Sequence, residues 1–221
     1  MCIKAVGFDI DGTLYPFTMA KILSIPLVVC NLKFYVAFRN VRHKLREVRH
    51  IKDFASLQIS MLAKELSVSE TKTQSLLEKV VYSQWFALFK YLRVFPHLRA
   101  FLVWLKSKGV KIGVLSDFII GSRLENLKLG NVWDVSLSSE ESNYLKPHAK
   151  PFLHMCEQFG TEPGETLYVG NSEKYDIVGA SQAGLLSALY TRWNLSTSKS
   201  NVQFSSYKML QKWFEMRCTF D

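Results

Sequence analysis

Between residues 96 and 190, short apolar runs alternate with segments of helical period, and glycine marks most of the changes. Leu98, Phe101, Leu102 and Leu105 share one face of a helix predicted over 97–108, which Gly109 ends. A strand over 110–115 follows and stops at Ser116-Asp117. Next come a helix over about 120–129, a strand over 132–137 and a helix over 151–159 closed by Gly160. A strand over 166–169, a helix around 176–183 closed by Gly184 and a strand over 185–190 complete the series. Strands separated by helices cannot pair through tight hairpins. They pair in parallel, with the helices crossing the faces of the sheet. An earlier apolar run, Ala5-Val6-Gly7-Phe8, reads as one more buried strand. The pattern therefore predicts an α/β fold. After it, 191–206 is rich in Ser, Thr and Asn and reads as loop, and 207–216 reads as a short amphipathic helix.

The length of 221 residues suits one domain, or one domain with an insertion. An insertion is visible: Gly12 and Gly109 are consecutive glycines, and the segment between them has helical character. Domain boundaries follow as 1–14 with 96–221 for a core and 15–95 for an inserted helical unit. Within it, Phe38, Val41, Leu45 and Val48 fall on one helical face and Arg39, Arg42, Arg46 and Arg49 on another. That arginine face reads first as the wet side of an amphipathic helix, second as the lining of an approach to a site.

The apolar stretch 22–38 contains Pro26, Asn31 and Lys33 and is marginal in length for a membrane span. A buried helix or a pair of short helices is expected there. The net charge of +9 favours anionic partners, and part of it is local: residues 33–52 carry seven Lys and Arg against Glu47 alone. Four cysteines (Cys2, Cys30, Cys156 and Cys218) show no metal-ligand spacing and read as reduced thiols of a cytoplasmic protein. The five histidines show none either.

Chemistry-bearing residues recur where predicted strands end. Asp9 and Asp11 follow the first strand in Asp9-Ile10-Asp11-Gly12-Thr13-Leu14-Tyr15. Ser116 and Asp117 follow Gly113-Val114-Leu115, Lys146 stands in Tyr144-Leu145-Lys146-Pro147, and Asn171 and Asp176 follow Leu167-Tyr168-Val169-Gly170. Open parallel sheets bind ligands at the carboxyl ends of their strands. Phosphoryl transfer needs a nucleophile, an acid/base and charge neutralisation on the transferring group. Asp9 can attack, Asp11 can move the proton, and Lys146 brings a fixed positive charge. Gly12 and Thr13 allow a tight turn whose N–H groups meet phosphate oxygens, and the Ser116 hydroxyl can donate to another. Asp117 either positions substrate or caps a helix.

In this order, these motifs resemble those of the haloacid dehalogenase-like hydrolases, in the group with a helical cap between the first and second motifs. The resemblance covers roughly 3–14 and 96–190; residues 15–95 carry no specific match. It implies a Rossmann-like three-layer parallel sheet and Mg²⁺ as cofactor. Asp9, the carbonyl of Asp11, the side chain at 171 and Asp176 are the implied metal ligands. The implied function is a Mg²⁺-dependent phosphatase of a small phosphorylated metabolite, of phosphoglycolate or pyrimidine-nucleotidase type, working through an aspartyl-phosphate. A sugar-phosphate mutase would use the same residues, whereas a 2-haloacid dehalogenase would not need an acid at Asp11. Relatives commonly carry Asp where this chain has Asn171. An amide oxygen still coordinates Mg²⁺ but brings no charge, so a weakly catalytic or purely binding protein is the alternative. Neither nucleic acid nor a membrane is an expected partner, and the oligomeric state stays open.

Overall fold

The computed structural model describes residues 2–48, 51–193 and 195–218. Arg49, placed above on the arginine face, and His50 lie outside the described residues. Strands β1 (Ala5–Phe8), β2 (Lys111–Ser116), β3 (Val135–Ser138), β4 (Thr166–Gly170), β5 (Leu186–Tyr190) and β6 (Val202–Phe204) form one sheet in the order β3-β2-β1-β4-β5-β6. Every neighbouring pair is parallel, as the alternation requires. The chain leaves β1 for β2 on one side and returns to β4 on the other. The strand order therefore reverses at β1, which opens a crevice at its carboxyl end.

Both faces of the sheet are covered. Val6 and Phe8 of β1, with Ile112 and Val114 of β2, point to the side of α5 (Leu98–Ser107) and α9 (Tyr207–Arg217), where Phe101, Leu105, Leu210 and Phe214 are buried. Ala5, Leu115 and Tyr168 point to the side of α7 (Ala149–Phe159) and α8 (Val178–Gln182), against Phe152, Met155 and Phe159. The hydrophobic face of each helix is what seats it: Gly160 ends α7 in the left-handed conformation and the Ser206 side chain caps α9.

Three local expectations change. The helix predicted over 120–129 contracts to α6 (Arg123–Asn126), because Gly121 and Lys128 both take positive φ, at 48° and 58°. The helix around 176–183 begins three residues earlier, as a wide turn over Glu173–Ile177 capped by Ser172 that runs into α8. The tail predicted as loop contributes β6, which closes the edge of the sheet beside β5.

Between β1 and α5 the described residues form helices and no strand: α1 (Phe17–Cys30), α2 (Leu32–Leu45), α3 (Phe54–Leu66), α4 (Glu70–Leu77), a wide helical turn over Glu78–Trp85 and a 3-10 turn over Leu88–Tyr91. The apolar stretch is thus a pair of helices broken at Asn31 and bent by 115°. No single helix among the described residues is long and apolar enough to cross a membrane. Of α1, however, only Ala20 is buried, and Ile22 and Val29 are 65% and 68% exposed. Its partner α2 buries Phe38, Val41 and Leu45 as predicted. It also buries Arg42, and Arg46 at its C-terminal cap is half-buried, so only Arg39 of the described residues on that arginine face behaves as wet.

Candidate active site

The carboxyl end of β1 carries Asp9, which is almost fully buried. Its backbone N–H donates to Val169 of β4, so the residue is fixed by the sheet itself. Lys146 Nζ donates to Asp9 Oδ1 at 2.8 Å, to Asp176 Oδ1 at 2.7 Å and to the Tyr168 hydroxyl at 3.1 Å. Tyr168 in turn donates to the Leu115 carbonyl at 2.9 Å. One ammonium thus joins the loops after β1, β3 and β4. Two buried carboxylates beside it hold the Lys146 ammonium protonated, its pKa raised well above the usual range although burial alone would lower it. Burial pushes the Asp9 carboxyl up to about 7, with Lys146 pulling the other way and Asp176 and Asp11 adding to the rise.

The Thr13 hydroxyl donates to Asp9 Oδ2 at 3.0 Å and approaches Asn171 Oδ1 at 3.4 Å. The Thr13 N–H is turned to the Ile10 carbonyl at 3.3 Å, so this expected backbone donor is committed within the turn. Gly12 takes φ +93°, and a Cβ there would overlap the Asn171 amide; the turn and the side chain at 171 fit only with glycine. Behind the turn, the Tyr207 hydroxyl of α9 donates to the Thr13 carbonyl at 2.7 Å.

Asp176 has both oxygens occupied. Oδ1 takes Lys146, and Oδ2 accepts the N–H groups of Asn171 and Ser172 at 3.1 and 2.9 Å. It reaches them because Gly170 has no Cβ to block its approach. Its place is that of an anchor for the loop carrying Asn171. Asp9 Oδ2 and Asn171 Oδ1 converge on one hydroxyl, and such hard oxygen donors fit Mg²⁺. Among the described residues no three His, Cys, Asp or Glu form a metal cage. A site built from one carboxylate, a backbone carbonyl and an amide oxygen would lack that signature.

Asp11 is tied down by residues that the motif reading passed over. The Tyr15 hydroxyl donates to Oδ1, and Arg123 Nη1 pairs with Oδ2 at 3.0 Å. Arg123 is fully buried; its Nη2 donates to the Ser116 hydroxyl oxygen at 2.9 Å and to the carbonyls of Phe118 and Ile119, both at 2.8 Å. The rings of Phe86 and Phe89 face its guanidinium at 5.0 and 5.7 Å. Ser116 also accepts the Phe118 N–H at 3.2 Å, which leaves its own proton free to be donated.

Asp117 caps no helix; its carboxylate is committed to partners from two other segments. It accepts the Lys146 N–H at 3.0 Å and pairs at 2.7 Å with Arg46, the C-terminal cap of α2. Burial would raise its pKa, but Arg46, Lys146 and Arg42 hold it below the usual carboxylate range. Arg46 also donates to the Lys146 carbonyl at 3.0 Å, and Arg42 binds Glu140 and the Asp117 carbonyl.

Against this geometry stands a family comparison: the model of the haloacid dehalogenase-like hydrolases matches residues 3–184. The chain belongs to that family. Its relatives include the glyceraldehyde 3-phosphate phosphatase of Methanothermobacter thermautotrophicus, 29% identical over 85% of each chain. The phosphoglycolate phosphatase of Haemophilus influenzae is 24% identical over 90% of this chain and 91% of its own. Among solved structures, a phosphatase of the family from Thermococcus onnurineus superposes with a TM-score of 0.67 at 25% identity, covering 96% and 98% of the two chains. The hydrolase family and its parallel α/β fold are therefore those that the motif order implied. Sequence reasoning missed Arg123 because nothing in Gly121-Ser122-Arg123-Leu124 distinguishes it from a surface arginine. Tyr15 lay inside the quoted motif but carried no assigned role.

Proposed function

We propose that this hydrolase is a phosphatase that cleaves a phosphate monoester through an aspartyl-phosphate on Asp9. The observation that carries the reading is the Asp9 carboxylate, buried at the switch point of the sheet between the Lys146 ammonium and the Thr13 hydroxyl. Asp11 stands two residues on. An Asp9 oxygen attacks phosphorus as the bond to the leaving oxygen breaks, and Asp11, protonated in the substrate complex and there hydrogen-bonded rather than ion-paired to Arg123, gives that oxygen a proton. Water then attacks the aspartyl-phosphate, Asp11 takes a proton from it, and inorganic phosphate leaves with Asp9 restored. Lys146 and the Ser116 hydroxyl meet the charge on the equatorial oxygens. Asp9, the Asp11 carbonyl and Asn171 would hold Mg²⁺, which supplies charge neutralisation on the transferring group. Asp176 orients Lys146 and the loop at 171. In this reading the helices of 15–95 act as a cap over a core made of 1–14 and 96–221.

The activities of the relatives, a glyceraldehyde 3-phosphate phosphatase and a phosphoglycolate phosphatase, support a phosphate ester as substrate. The test is phosphate release from a panel of phosphorylated metabolites with Mg²⁺, comparing the wild type with Asp9→Asn. Turnover by the wild type alone is expected; equal turnover by both removes Asp9 as nucleophile.

A further inference from the structure

A cavity of about 620 Å³ runs between α1, α2 and the wide turn over Glu78–Trp85, with Asp11 among the residues that line it. Its walls are apolar: Leu27 and Val28 of α1, Phe34 and Phe38 of α2, Val81 and Trp85 opposite. Cations lie among the polar groups: Lys21 and Arg39 stand in the lining beside Arg42 and Arg46, which are already paired with Glu140 and Asp117, and Asp11 is its one carboxylate. Glyceraldehyde 3-phosphate or phosphoglycolate would leave such a volume mostly empty, and neither has apolar surface to set against these aromatic and aliphatic walls. Cavities of this size ordinarily enclose ligands of many more heavy atoms.

We infer that the leaving group of the substrate is a sizeable apolar alcohol, alkyl or aryl, which occupies this cavity while its phosphate lies at Asp9. The inference rests on the phosphatase reading, because it is Asp11, the proposed donor of the leaving-group proton, that the cavity meets. The group that Asp11 protonates is the one that departs, so the cavity lies on the leaving-group side of the phosphorus. The cations in the lining suit an anion approaching phosphate first. Binding here follows from area removed from water, and each methylene fully buried is worth about fourfold in affinity.

The test uses ethyl, butyl, hexyl and octyl phosphate, whose leaving alcohols are chemically alike and differ only in apolar length. With Mg²⁺ and the full chain, kcat/KM is expected to rise with length, by roughly a hundredfold from ethyl to octyl if part of the chain stays wet. Val28→Trp and, separately, Ser24→Trp fill the cavity without touching the groups placed in the mechanism. Either should erase the gain for octyl phosphate while ethyl phosphate turnover, the control for folding, is unchanged. A flat series, or phosphoglycolate preferred over octyl phosphate, overturns the inference. If no ester is hydrolysed, the phosphatase reading falls on its own. Calorimetric binding of ethyl- against octylphosphonate then decides the cavity: tighter octyl binding that Val28→Trp abolishes supports it, and equal binding overturns it.

Discussion

Arg123→Met is the substitution whose cost the structure lets one work out. Methionine keeps most of the volume and can still lie against Phe86 and Phe89, so packing is largely preserved. What is lost is the cation. Asp11 keeps the Tyr15 hydroxyl but loses its ion pair, and the Ser116 oxygen and the carbonyls of Phe118 and Ile119 lose a donor. Removing one partner of a buried pair costs about 3–5 kcal/mol. The Asp11 side chain is 17% exposed and can recruit water, which places the loss at the lower end, about 3 kcal/mol. With a urea dependence near 2 kcal/mol per molar, the unfolding midpoint should fall by about 1.5 M. Asp11→Asn made alone and then together with Arg123→Met should show a double-variant cost smaller than the sum, because the second change no longer strands a charge. A single-variant loss under about 1 kcal/mol, or strict additivity, would refute the claim that Arg123 is the counter-charge holding Asp11 in place.

Two further outcomes follow from the site. Asn171→Asp adds a carboxylate where an amide now faces Asp9, so half-maximal activation should need roughly tenfold less Mg²⁺; an unchanged Mg²⁺ titration would show that residue 171 holds no metal. The Asp117 carboxyl titrates below the usual carboxylate range in the folded state, so its contribution to stability is complete above the unfolded value and is lost as pH falls through the folded one. Melting curves of the wild type should therefore drop in acid more steeply than those of Asp117→Asn; parallel profiles would contradict the pairing with Arg46.

Much of this architecture was legible because it follows from local rules. Strand ends at Phe8, Ser116 and Gly170 coincide with motif residues, and the alternation of apolar runs with glycine-closed helices dictates parallel pairing. What was not legible depends on long-range partners. The three residues of β6 sit between Ser- and Asn-rich stretches, too short for a pattern of their own, and become a strand only because β5 offers an unpaired edge. Arg123, Arg42 and Arg46 look like solvent-facing arginines by spacing. Their burial is decided by Asp11, Glu140 and Asp117, which lie far away in sequence. The apolar α1 reads as core by composition, yet one side of it is turned to solvent and the other lines a cavity.

Arg42 of α2 and Arg46, which caps its C-terminus, grip the segments that carry Asp117, Glu140 and Lys146. Whatever loosens α2 therefore also loosens the residue that orients the nucleophile, and the coupling must run in both directions. A molecule that binds only the assembled Asp9–Lys146 pair will tighten α2 by the same factor by which a seated α2 tightens that molecule. Amide hydrogen exchange along α2 thereby becomes a meter of occupancy at a site to which α2 supplies none of the reacting atoms.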